Sequence, residues 1–291
     1  MDVFVVNYIH DLKQTLMAYN AGDLLAAIGA LQLLPENSDR FVRLEAFAHI
    51  ASSLPLNESK PKMSHGRLKS ITNKGFLTSI EVASYEDPQE YAFTESFGFD
   101  GGPFTVFPGP ADETTHILQN LLKAIFKHPE PLSDRTWLRA AHQLVTAILV
   151  LSNEIARRAG LGQSVDPIYR PESPVITPSK QRLDQLKEAI TFSQKELELL
   201  LAPRRVDWQI LNPLIIAQGK VDLSDFRLGD GDLFASPIVQ GEGQYIVALP
   251  HRLLNVLRHT LIRQAVENGL DKEIVGHFWL SGNCRINPNI L

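Results

Sequence analysis

The chain has 291 residues, 44% of them hydrophobic and 21% charged, with a formal net charge of −5. That length admits one large or two small folding units, and the acidic balance argues against a general nucleic-acid binder, whose domain is usually strongly basic. The single cysteine, Cys284, excludes an intrachain disulfide and a zinc site built on several thiolates.

The N-terminus, Met1-Asp2-Val3-Phe4-Val5-Val6, is briefly apolar but has neither a basic leader nor a small-residue cleavage site, so no signal peptide is expected. Residues 3–54 read as three helices. Val3, Val6, Ile9, Leu12, Leu16 and Tyr19 fall on one face of the first. Gly22-Asp23 closes it and caps the second, Leu24–Leu34. Asn37 or Ser38 caps a third, which carries Phe41, Leu44, Phe47 and Ala51 and stops before Pro55. Residues 55–75 are polar and basic and read as a solvated linker with a short helix from Arg67 to Asn73.

From Gly75 to Leu122 there is no Lys or Arg, and aromatics are frequent. Tyr91, Phe93, Phe97 and Phe99 alternate as in a half-buried strand, Asp100-Gly101-Gly102-Pro103 reads as a turn, and Phe104–Phe107 as the return strand. A helix over Asp112–Phe126 follows, with acidic residues in its first turn. The helix Arg135–Arg158 is the centrepiece. It carries no charge between Ala140 and Asn153 and is apolar on all sides around Ala147–Leu151, so other elements should wrap it. A run this short falls below the roughly 20 residues of a membrane span.

Pro167, Pro171, Pro174 and Pro178 mark residues 163–178 as a linker and domain boundary. Thr177 then caps a helix with Pro178 at its first position. Over Gln181–Leu201 the residues Leu183, Leu186, Ile190, Ser193, Leu197 and Leu200 step by three and four between charged positions, the pattern of a helix burying one narrow seam against another. Leu233–Val239 and Gln244–Leu249 read as strands joined by Gln240-Gly241-Glu242-Gly243, with Pro237 making the first an edge strand or a bulged one. A strong helix over Arg252–Asn268 ends at Gly269, and a short one over Lys272–Leu280 follows.

Three groups of residues could carry function. Metal-dependent nucleases of the restriction-endonuclease type place an Asp at one strand end, with a Glu and a Lys or Gln two apart on the next. Asp232, Glu242 and Gln244 have an allowed spacing, although Glu242 lies between two glycines where a turn is expected. His251 and Arg252 open a helix, where backbone N–H groups could hold an anion or nucleotide phosphate. Leu183, Leu186, Ile190 and Leu197 offer a seam to a protein partner. His142, on the most apolar helix, reads as a core histidine. No histidine pair has metal-ligand spacing, and neither a metal nor a cofactor is expected.

These readings converge on a soluble, cytoplasmic, mainly α (α+β) protein in two lobes. Residues 1–162 would pack around helix 135–158 with a hairpin near 90–107. Residues 179–291 would form a helix–hairpin–helix lobe. The expected role is a non-catalytic interaction or scaffold subunit, or the N-terminal region of a longer polypeptide. It would bind a protein partner through the seam 183–200, with no membrane contact and no charge-based indication of nucleic acid. A Mg²⁺-dependent nuclease or other phosphoester hydrolase, and an anion or nucleotide sensor, are the alternatives.

Overall fold

The computed structural model describes residues 3–73, 93–109, 114–127, 135–162, 174–223 and 231–269. It is mainly helical with two small sheets, the expected fold class. The expected helix Lys272–Leu280, the Tyr91 end of the first strand, the Asp112 turn and Cys284 lie outside the described residues.

The first helices are α1 (Val3–Leu16), α2 (Ala21–Leu31), α3 (Phe41–Ser52) and α4 (His65–Thr72). Nine of the eleven residues of α2 are buried, because its composition is almost wholly apolar and other elements cover it on several sides. Asn20, not Asp23, is its N-cap: the Asn20 side chain accepts the Asp23 amide at 2.7 Å. Between α2 and α3 the chain makes a 3₁₀ turn over Pro35–Arg40, so Asn37 and Ser38 lie within that turn and do not cap α3.

Strands β1 (Glu95–Phe99) and β2 (Gly102–Val106) pair antiparallel, with Phe97 opposite Phe104. Asp100 (φ 46°) and Gly101 (φ 82°) form the two-residue loop. Two positive φ values are what a type I′ turn requires, and the Asp-Gly dipeptide supplies them. Helix α5 (Thr114–Lys127) leads to α6 (Arg135–Arg158), in which every residue from 144 to 149 is buried. β2 packs on α6, and Asn153 accepts the Thr105 amide at 2.9 Å, pinning the hairpin to the helix. His142 is not a core residue. It is partly exposed on the hairpin side of α6, 3.6 Å from the Asp100 carboxylate and beside the Phe99 and Phe126 rings.

The helix expected over Gln181–Leu201 is broken. Helix α7 (Lys180–Ile190) is capped by Ser179, two residues later than expected, and stops at strand β3 (Thr191–Ser193). Helix α8 (Gln194–Leu201) then restarts on a capping box: Ser193 accepts the Glu196 amide while Glu196 reaches back to the Ser193 amide. The β-branched and aromatic pair Thr191-Phe192 suits a strand, and β3 finds its partner in β6 (Gln244–Val247).

The second sheet has the order β3-β6-β5-β4, with β5 (Ile238–Gly241) antiparallel to β6 and parallel to β4 (Ile215–Ala217). The expected late hairpin is therefore the middle of a sheet. β5 starts one residue after Pro237, whose carbonyl accepts the Ala248 amide, so the proline removes no ladder bond. Leu233 belongs to a short helix α9 (Asp232–Ala235), not to the strand. A 3₁₀ turn over Pro250–Arg252 leads into α10 (Leu253–Glu267).

Packing runs across the expected boundary at 163–178. α2 packs on α7 and β6, α6 on α7 and α10, and one core cluster extends from Leu12 to Ala265. A Cβ added to Gly29 of α2 would lie 2.6 Å from the Ile190 Cδ1 atom and 3.2 Å from the Val247 carbonyl oxygen. With a side chain there, Ile190 and the Val247 carbonyl would have to give way, so the glycine lets α2 sit close to both elements. Among the described residues, no helix is long and apolar enough to cross a membrane.

Candidate functional site

Glu242 (φ 53°) and Gly243 (φ 73°) form the β5–β6 turn, a second type I′ loop. The Glu242 carboxylate reaches the N-terminus of α2, 3.5 Å from Asn20 Nδ2 and 3.9 Å from a Cβ built on Gly22. A carboxylate there complements the helix dipole. Asp232 lies at the first position of α9, and its Oδ2 atom accepts the Asp222 amide at 2.9 Å. Gln244 is exposed on β6, opposite Ser193. Each of the two carboxylates thus has a separate local partner, and among the described residues no group of three His, Cys, Asp or Glu side chains could hold a metal ion.

His251 and Arg252 are directed inward, a correction to the expected anion site. His251 is 1% exposed. Its Nε2–H donates to the Gln32 carbonyl at 2.6 Å, and the rings of Phe41, Phe93 and Phe107 surround it. Arg252 grips Glu45 of α3 with Nε at 2.6 Å and Nη2 at 2.9 Å, and its guanidinium lies over the Phe234 ring. Both side chains are thus engaged by groups of the same chain, Gln32 and Glu45, rather than presented to solvent.

Burial drives the His251 pKa down to about 3, against the opposing Gln32 hydrogen bond and helped by the Arg252 charge. Burial, then the charges of Arg258 and Arg252, lowers His259 to about 4. The unfolded chain takes up these protons near 6.5, whereas the folded chain does so only near 3 and 4. The stabilising difference is complete above the unfolded value and is lost as pH falls from 6.5 toward 4. Each histidine is expected to cost about 2 kcal/mol of stability at pH 5. The denaturation midpoint should therefore drop between pH 7 and pH 5 while the His251 Cε1 proton shift stays flat. A midpoint that does not move, or a His251 signal that titrates near 6.5, contradicts the assignment.

The proposed contact residues are core. Leu183, Leu186, Ile190 and Leu197 are 6%, 0%, 0% and 2% exposed. The seam exists, but α2 and α6 of the same chain already fill it.

A contact that sequence reasoning missed lies at residues 174–178, Pro-Val-Ile-Thr-Pro, which carry neither helix nor strand. Asn73, at the end of α4, accepts the Val175 amide at 2.6 Å and donates to the Val175 carbonyl at 3.2 Å. Asn37 treats Ile176 in the same way, at 2.7 and 2.9 Å. His65 Nε2–H donates to the Pro178 carbonyl at 2.6 Å. Val175 is 1% exposed and Ile176 43%, the in–out alternation of an extended chain. A signal for this was present: a β-branched Val-Ile-Thr run between two prolines is extended, not helical.

Comparison with known proteins found no matching family model, no matching curated protein and no matching solved structure.

Proposed function

We propose that the chain is a non-catalytic, cytoplasmic interaction module that works as a structural part of a larger assembly. The observation that carries this reading is the strap at residues 174–178, held through its backbone by Asn37 and Asn73 in the way one protein holds an extended segment of another. The burial of the seam in its own core moves the contact away from Leu183, Leu186, Ile190 and Leu197. Further support comes from His251, Arg252, Asp232 and Glu242, each engaged by a neighbour in the same chain.

Sedimentation of the endogenous chain in a gently prepared extract tests the proposal. The expected result is a species well above the 32.5 kDa of this sequence, with no divalent-metal-dependent cleavage of labelled DNA or RNA. A free monomer, or phosphodiester cleavage that Glu242→Ala abolishes, would overturn it.

A further inference from the structure

The Asn37 and Asn73 amides are set in place by contacts that do not involve the strap. Asn37 Nδ2 also donates to the Leu31 carbonyl at 2.9 Å, and Asn37 is wholly buried. Asn73 Nδ2 also donates to the Lys69 carbonyl at 2.9 Å, and Arg43 Nη1 approaches Asn73 Oδ1 at 3.4 Å. A primary amide carries an acceptor and donors side by side, so each asparagine imitates the edge of a β-strand for one residue. Together they read the N–H and C=O groups of two successive residues, Val175 and Ile176. Backbone reading of this kind is indifferent to most side chains. The one side chain that is buried is Val175, which joins the core cluster.

We infer that the surface formed by the Pro35–Arg40 turn and α4 is a receptor for an extended peptide, and that residues 174–178 occupy it as an internal ligand which a partner segment displaces. The inference deepens the proposed interaction role and rests on it. The partner's chemistry follows from the seat. The segment is extended, flanked by prolines, and has a small β-branched residue at the position of Val175. Proline and its restricting effect on the preceding residue hold Pro174–Pro178 extended before binding, which lowers the ordering cost for the strap and for any segment that replaces it. Because the strap is tethered, it competes at an effective concentration on the order of millimolar, so a free peptide meets a largely filled site in the native chain.

The test uses a fluorescein-labelled peptide with the sequence of residues 171–179, titrated by anisotropy against the full chain. Val175→Asp unseats the strap by placing a charge in the apolar seat. The expected result is micromolar binding to Val175→Asp, about tenfold or more weaker binding to the native chain, and loss of binding when Asn73→Ala is added to Val175→Asp. Two results overturn the inference: a folded Val175→Asp chain that ignores the peptide, or equal binding to the native and Val175→Asp chains. Should Val175→Asp not fold, hydrogen exchange on the native chain decides instead. Excess peptide is expected to speed exchange at the Val175 and Ile176 amides, and unchanged rates there overturn the displacement. Failure here leaves the assembly role to the sedimentation test, which reads mass and not this groove.

Discussion

Replacing Glu45 by alanine is expected to cost about 3–5 kcal/mol of folding stability. Glu45 is 3% exposed and receives two hydrogen bonds from Arg252, at 2.6 and 2.9 Å. Its removal takes away the bidentate carboxylate that the Arg252 guanidinium grips, and breaking a buried pair by deleting one partner costs far more than the net worth of the pair. The pair also joins distant parts of the chain, α3 to the turn that opens α10. Arg252→Met alone should be similarly harmful, because it leaves the Glu45 carboxylate buried. The double variant Glu45→Leu with Arg252→Met should recover most of the loss. Urea denaturation of the native chain, Glu45→Leu, Arg252→Met and the double variant completes the cycle. Single variants that each lose under about 1 kcal/mol would mean that water reaches the pair, as at an exposed ion pair.

The second large effect is at Leu186. On the sequence pattern alone, Leu186→Glu should spare the fold and abolish a partner contact. The side chain is 0% exposed and lies where α7 meets α2 and α6, so the structure gives a different expectation. Leu186→Ala should cost about 2–5 kcal/mol through lost burial and the cavity left behind. Leu186→Glu should consume most of the roughly 5–15 kcal/mol that holds a domain together. Leu199, in the adjacent helix and 64% exposed, is the control: Leu199→Glu should stay within about 0.5 kcal/mol of the parent. Thermal unfolding followed by circular dichroism separates these cases. A Leu186→Glu chain with native stability would return the seam to the surface.

Much of the local structure was legible in the residues. Helix 135–158 came out with the bounds its periodicity implied, and the Asp100-Gly101 and Glu242-Gly243 loops came out as turns, because both signals depend on nearest neighbours along the chain. The break at Thr191–Ser193 was written in the Ser193…Glu196 capping box, but the leucine spacing on either side masked it, since a three-residue strand leaves the apolar stripe nearly in phase. The contacts of residues 174–178 were not legible, because proline reports an extended backbone and says nothing about what that backbone lies against.

By itself the sequence determined which segments become helix, strand or turn, and which faces must leave water. That follows from backbone sterics, side-chain branching and the 3.6- and 2-residue periods. Only the tertiary structure decided what covers each face. Leu183, Leu186, Ile190 and Leu197 carry the same pattern whether a foreign helix or α2 of their own chain buries them, and the exposure of each residue records the outcome. The same holds for His251 and Arg252, whose partners Gln32 and Glu45 lie 219 and 207 positions away. Hydrophobic burial is non-directional, and a hydrogen bond takes whatever group folding brings within reach, so neither partner can be named before the chain has closed on itself.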